Sequence, residues 1–281
     1  MSKQQAKIKD ILERLYASYN HRHLIKPDPL QFVYRYSRPA DREIAGLLSA
    51  VLAYGRVEQI EKSVSKLLAL FGNSPYDFVM SFEKKHQMKL KDFKHRFTTG
   101  QSISDLLKLL KNILKRFNTI ENFFVQGYHS SDKNIIPALS QFCNSLLDIH
   151  TKSNNGQVSK GLSYLLPRPE AGSACKRLNL FLRWMVRDDD VDTGLWKVID
   201  KAKLIVPVDV HMGRLCRILG FYNRKTVSLS AAVEITNSFA EIEPNDPVKY
   251  DFSLSRVGII ENCTSRYNGK CTNCELSSLC K

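Results

Sequence analysis

Four cysteines stand close together at the end of the chain. Cys263, Cys271, Cys274 and Cys280 are separated by seven, two and five residues. Thiols gathered that tightly among polar residues read as ligands for a thiophilic metal, since clustered unpaired thiols are otherwise a chemical liability. All-Cys ligation suits an iron–sulfur centre or zinc. The other three cysteines, Cys143, Cys175 and Cys216, fall singly in apolar-periodic stretches and are expected as small core residues. Seven is an odd number, and the N-terminal MSKQQAKIKDILERLY has no apolar export block. A disulfide framework is therefore a poor reading, and a cytoplasmic location is expected.

A second chemical candidate is Lys176, in the stretch AGSACKRLNLFLRWMVR over residues 171–187. It follows Gly172-Ser173-Ala174 at the start of a helical pattern. Backbone N–H groups and partial positive charge at a helix start can hold a phosphate. They also disfavour the protonated form of a nearby amine, which helps to make a lysine nucleophilic. An ordinary exposed lysine is the plainer alternative. The third candidate is Asp209, in IVPVDVHMGRLCRILG over residues 205–220. It precedes a helix whose Met212, Leu215, Cys216 and Leu219 share one face, and Gly220 fits the position just past its end. A capping carboxylate is fixed in place, and the cap favours its charged form. His211 could pair with Asp209, face a phosphate, or serve the fold alone.

The elements that would position these groups are helical nearly throughout. Apolar residues recur at helix spacing in 41–54, 56–71, 102–117, 134–150 and 174–187, and alternating strand patterns are absent. In the last of these stretches Leu178, Phe181, Leu182 and Met185 form the buried stripe, with Lys176, Leu180, Arg183 and Arg187 on a different face. Residues 151–161, TKSNNGQVSKG, read as a loop or domain junction. No apolar run approaches a membrane span.

The charge balance points to a partner. Forty-two Lys and Arg against 28 Asp and Glu leave the chain at +14, which favours a polyanion and nucleic acid first. Residues 84–116 carry ten Lys or Arg and two Asp. Phe93, Phe97 and Phe117 are interleaved with them, which suits either a nucleic-acid-facing surface or a solvated helix face.

Three features follow one another in order: a Gly-containing turn leading to Lys176, the string Val206-Pro207-Val208-Asp209-Val210-His211-Met212, and the four-Cys loop. Together with LLSAVLAYGRVEQIEKSVSKLL over residues 47–68, they resemble the helix-hairpin-helix (HhH-GPD) DNA glycosylase superfamily, on its endonuclease III and 8-oxoguanine glycosylase side. The similarity covers roughly residues 40–72 and 165–281. It departs from endonuclease III in the 33-position step from Lys176 to Asp209 and in Ala174, where a second Gly is usual.

The resemblance implies an all-α, two-lobed architecture with a C-terminal cluster loop. It divides the chain into an N-terminal helical segment (1–40) packing with the C-terminal lobe and a helical lobe (41–160) holding an unmatched basic insert (73–160). A hairpin and catalytic-helix region (161–220) and a C-terminal region with the Cys loop (221–281) follow. It implies a DNA N-glycosylase with AP lyase activity that excises a damaged base, 8-oxoguanine favoured. Lys176 would be the Schiff-base amine and Asp209 the catalytic carboxylate. Gly172, Ser173, Ala174, Arg177, His211 and Arg214 are the candidate DNA contacts. Cys263, Cys271, Cys274 and Cys280 would hold a [4Fe–4S] cluster, with zinc as the alternative. The expected partner is double-stranded DNA with a damaged base, with no membrane association and a nucleoid location. Two other readings stay open: a non-catalytic DNA-binding protein of the same fold, and a helical interaction protein with a zinc loop.

Overall fold

The computed structural model describes residues 2–260, 263, 271–272 and 274–280. Helix accounts for 63% of it and strand for 2%, so the chain is all-α. Among the described residues no helix is long and apolar enough to cross a membrane.

The first helix, α1 (Lys3–Tyr19), starts from a reciprocal cap in which Ser2 accepts from the Gln5 N–H and the Gln5 side chain accepts from Ser2. Such a cap satisfies two backbone donors that a helix start otherwise leaves bare. Ile8, Ile11, Leu12 and Leu15 recur on its buried face. That face packs on the last long helix, α13 (Asp251–Ile260). Lys9 donates to the Ile242 carbonyl at 3.1 Å, and Lys249 to Glu13 at 2.8 Å.

The centre of the molecule is α2 (Pro39–Val51), buried over most of its length, against α10 (Lys176–Val186). The two approach closely at Gly46, where a Cβ would lie 2.9 Å from the Met185 methyl. Between them in sequence come α3 (Val57–Phe71), α4 (Pro75–Met80), α5 (Lys84–Leu90), α6 (Gly100–Phe117), α7 (Ile120–Phe124), α8 (Ile136–Ser153) and α9 (Lys160–Leu165). Helices α4, α5, α7, α8 and α9 all pack on α6. Its apolar stripe, from Ile103 to Leu114, is fully buried. After α10 the chain forms α11 (Val210–Ile218), α12 (Leu229–Ala240) and α13, with α11 lying on α13.

Helix boundaries follow the periodicity closely, but two features differ from expectation. A short antiparallel pair, β1 (Lys94–His95) and β2 (Thr98–Thr99), links α5 to α6 with Lys94 opposite Thr99 and His95 opposite Thr98. Two-residue strands are too short to show alternation. The second difference concerns Arg183 and Arg187, which the periodicity sets off the buried stripe. Both are buried, at 2% and 3% exposure, because α10 is covered on more than one side. The turn after α10 folds back and supplies Asp189 and Asp192, and Asp246 and Asp251 come from further along the chain. Arg187 contacts Asp192 at 2.6 Å, Asp189 at 2.8 Å and Asp246 at 3.0 Å. Arg183 contacts Asp192 at 3.2 Å and also pairs with Asp251. Burial of charge is tolerated because each guanidinium is met by carboxylates.

Candidate active site

Two helix starts converge on one cavity. The turn before α10 uses Gly172 in the left-handed region (φ 79°), which only glycine adopts without strain. Cys175 follows with φ 47°, its N–H donated to Ser173 Oγ at 3.2 Å and its thiol buried against the Pro167 carbonyl. Its side chain makes no cap bond at the start of α10. Lys176 is then the first helical residue. Across from it, Asp209 caps α11 by accepting from the Met212 N–H at 2.7 Å. Its second carboxylate oxygen lies 3.3 Å from Lys176 Nζ. The pair is part-exposed, with 33% of the lysine and 26% of the aspartate side chain open. It stands on the wall of a cavity of about 910 Å³.

Burial alone would raise the Asp209 carboxyl. The Lys176 charge, the Met212 N–H and His211 outweigh it and hold the group below the ordinary aspartate value. Asp209 therefore remains an anion at neutral pH, a fixed negative charge beside a primary amine. His211, two residues on, lines the same cavity, and its Nδ1 is buried with no hydrogen-bond partner among the described residues. Gly258 on α13 lets α11 come close here, since a Cβ would lie 3.1 Å from that of His211.

The other candidate contacts are placed unevenly. Gly172, Ser173 and Ala174 line the cavity, as does Arg177. The Arg177 guanidinium turns inward, donating to the Val51 carbonyl at 2.7 Å and to the Tyr164 carbonyl. It lies over the Tyr54 ring at 5.0 Å and the Tyr164 ring at 4.6 Å, so it braces the wall. Arg214 donates to the Cys263 carbonyl and ties α11 to the cysteine segment.

Cys143, Cys175 and Cys216 are buried, as their apolar settings predict. The four terminal cysteines are partly or fully open, with Cys263 and Cys274 packed on the edge of the core. Burial and then the charges of Cys263, Cys274 and Cys271 push the Cys280 thiol up, so all four sulfurs share one neighbourhood. Among the described residues no three His, Cys, Asp or Glu side chains are grouped closely enough to hold a metal ion. Residues 264–270 and 273, which complete this segment, lie outside the described residues. All four cysteines are among the described residues: in donor type they suit a four-thiolate centre, but this structure does not draw three of them together around one point.

Sequence reasoning missed two parts of the site. Tyr54 and Tyr164 come together from α2's end and α9, and no spacing rule joins them. Arg183 and Arg256 lie at the cavity wall, 2% exposed each. The acidic string Asp188-Asp189-Asp190 directly after Arg187 was the available signal for a buried ion network.

Fold and site thus define an all-α protein with a lysine–carboxylate pair in a large cavity. The chain belongs to the family described as "Protein of unknown function (DUF2400)", whose model matches residues 28–260. No HhH-GPD glycosylase family matches, and this corrects the superfamily assignment. The strings that carried the resemblance are short, and local structure accounts for them: Asp209 is a helix cap, and Gly172 a left-handed turn residue. Comparison with curated proteins and with solved structures found no match.

Proposed function

We propose that this protein removes damaged bases from double-stranded DNA through Lys176, with strand cleavage at the abasic site as a second step. The observation that carries the reading is the 3.3 Å contact between Lys176 Nζ and an anionic Asp209 inside a 910 Å³ cavity. That volume is near the top of the roughly 300–1,000 Å³ range of ligand sites, enough for an everted nucleotide. The formal charge of +14 supports a phosphate-bearing partner.

In this reading the helices around α6 form one lobe and α10 to α13 the other, with the damaged nucleotide turned into the cavity between them. Lys176, paired with Asp209 as an ammonium, first gives a proton to solvent, and its freed nitrogen pair then bonds to C1′ as the C1′–base bond breaks. The base leaves with the bonding pair and takes up a proton, and the amine gives up a second proton to solvent. Asp209 stabilises the positive charge that builds on the sugar. Opening of the sugar ring yields an imine to Lys176, from which the 3′ phosphate leaves by β-elimination. Gly172, Ser173 and Ala174 meet the DNA backbone at the cavity mouth. Cys263, Cys271, Cys274 and Cys280, once drawn together, would be the ligands of a [4Fe–4S] cluster, or alternatively zinc. Such a centre would supply a structural clamp on the middle of α11 through Arg214.

The test is borohydride trapping on duplexes that each carry one lesion, 8-oxoguanine first in the panel, with wild type and Lys176→Gln. Wild type should give a covalent protein–DNA adduct and release base, and the variant should give neither. Trapping that persists in the variant removes Lys176 as the nucleophile. Salt-dependent binding without base release on any duplex makes the cavity a holding site only.

A further inference from the structure

The short β1–β2 link carries a feature that the cavity chemistry does not use. Phe97, at its tip, is 65% exposed, the second most open large apolar side chain among the described residues after Val210. Its ring meets Tyr164 edge-on at 5.7 Å, and Tyr164 meets Tyr54 at 5.2 Å. Tyr54 and Tyr164 line the cavity, so a run of three aromatic rings leads from open solvent to the cavity wall.

The tip is held firmly. His95 beneath it is buried, with its ring nitrogens 2.9 Å from Ser63 Oγ and 3.0 Å from the Tyr54 carbonyl. Tyr54 OH in turn donates to the His95 carbonyl at 2.8 Å and lies 2.7 Å from Thr98 Oγ1. Arg96 takes a left-handed φ of 50°. Its side chain lies against Gly55, where a Cβ would be 2.8 Å away, and its guanidinium sits 5.6 Å from the Phe97 ring centre. On the same segment Lys91, Lys94 and Arg96 are exposed, with Asp92 the one exposed acid among them. An exposed ring on a rigid support, on a segment with more cations than acids, suits the stacked bases and flanking phosphates of nucleic acid.

We propose that Phe97 is a base-stacking wedge that enters a DNA duplex at the step vacated by a nucleotide turned into the cavity. The ring fills the place of the missing base, and Lys91, Lys94 and Arg96 hold the phosphates on either side. The vacated step rests on the base-excision reading, but the wedge can be tested without it.

The probe is a duplex with a stable tetrahydrofuran abasic analogue, which has no base to release, compared with the same duplex intact. A 2-aminopurine placed opposite the gap reports stacking. Full-length wild type should prefer the gapped duplex and change the 2-aminopurine fluorescence. Phe97→Ala should lose about tenfold of that preference, the size expected for one base–aromatic stack, and bind intact duplex within about twofold of wild type. Phe97→Trp should keep the preference, and the exposed position allows both variants to fold. An unchanged preference in Phe97→Ala overturns the wedge. A Phe97-dependent preference in a protein that releases no base from any lesion supports the wedge and sinks the base-excision reading. Base release alongside a preference that ignores Phe97 sinks the wedge alone.

Discussion

Replacing Arg187 by Met would test the charged layer on which α10 is anchored. The guanidinium faces three carboxylates, Asp192 at 2.6 Å, Asp189 at 2.8 Å and Asp246 at 3.0 Å, and is itself 3% exposed. Burial would depress its pKa, but the three acids outweigh this and hold it well above the ordinary value. Methionine roughly fills the volume and leaves the acids without their shared cation. Breaking a buried pair from one side costs about 3–5 kcal/mol. For a chain of this length each kcal/mol moves the melting point by roughly 2 °C, so the variant should melt about 6–10 °C lower. The acid side should also change. Burial would raise Asp189, but Arg187 and backbone N–H groups hold it below its ordinary value. A depressed carboxyl lends stability above its unfolded pKa, about 3.9, and loses it as pH falls through the folded value. Wild type should therefore lose stability below about pH 4, and Arg187→Met should lose less of it there. The control is Lys197→Met, which breaks a 2.9 Å pair with Asp188 that is 70% exposed on both sides. That pair is worth less than about 1 kcal/mol. Circular dichroism melts read all three proteins. A melting point for Arg187→Met within about 2 °C of wild type would refute the reasoning.

Asp209→Asn should separate folding from chemistry. Asparagine caps a helix as well as aspartate does, so the acceptor for Met212 N–H is kept and the melting point should fall only by what the part-exposed pair with Lys176 contributes, about 1 kcal/mol or less. Loss of the fixed negative charge should cut single-turnover base release about 100-fold or more. Because the Asp209 carboxyl lies below the ordinary range, the acid limb it sets in wild-type base release should fall below about pH 4. The stability it shares with Lys176 is present above that range and lost as pH falls through its folded value. An acid limb near pH 5–6 that vanishes in the variant would contradict this placement. Purification without chelators should give a brown protein with iron and sulfide, or a colourless one with zinc at one per chain. Cys274→Ser should abolish the metal content in either case, and a wild type free of both metals removes the proposed centre.

Much of the helical framework was legible in the sequence. The stretch 56–71 became α3 and 102–117 became α6, because a long apolar stripe facing a core enforces helix period. Asp209 as a cap and Gly220 just past the helix were equally legible, since capping is a local property of a few residues. The same local logic singled out Lys176 and Asp209 one by one, each marking a helix start, while their pairing was expected only from the resemblance. What was not legible is non-local. Arg183 and Arg187 looked like an outer face because two of their four acid partners, Asp246 and Asp251, lie 59 and 68 positions away. Arg177 looked free to reach a phosphate, whereas Tyr54 from the loop after α2 and Tyr164 from α9 enclose it. The family resemblance failed for the opposite reason: several short strings, each with a local structural cause, were read as one global relationship.

The geometry of the site stands without that relationship, although base excision as its chemistry was first suggested by it. Lys176 meets Asp209 because α10 is pressed on α2 at Gly46 and α11 is pressed on α13 at Gly258, where glycine permits close approach. Both helix starts, the Arg–Asp layer behind them and the β1–β2 tip lie within residues 28–260, the span of the family match. The cysteine segment lies beyond it, and none of its described residues lines the cavity. It reaches the site through Arg214, one turn along α11 from His211, and it reaches α1 through the 3.1 Å contact of Arg14 with Glu275. In the proposed reading these connections give the cysteines a bracing role toward α11 and α1 rather than a part in the reaction. Loss of the metal centre should accordingly weaken the hold on α11 before it alters the chemistry at Lys176.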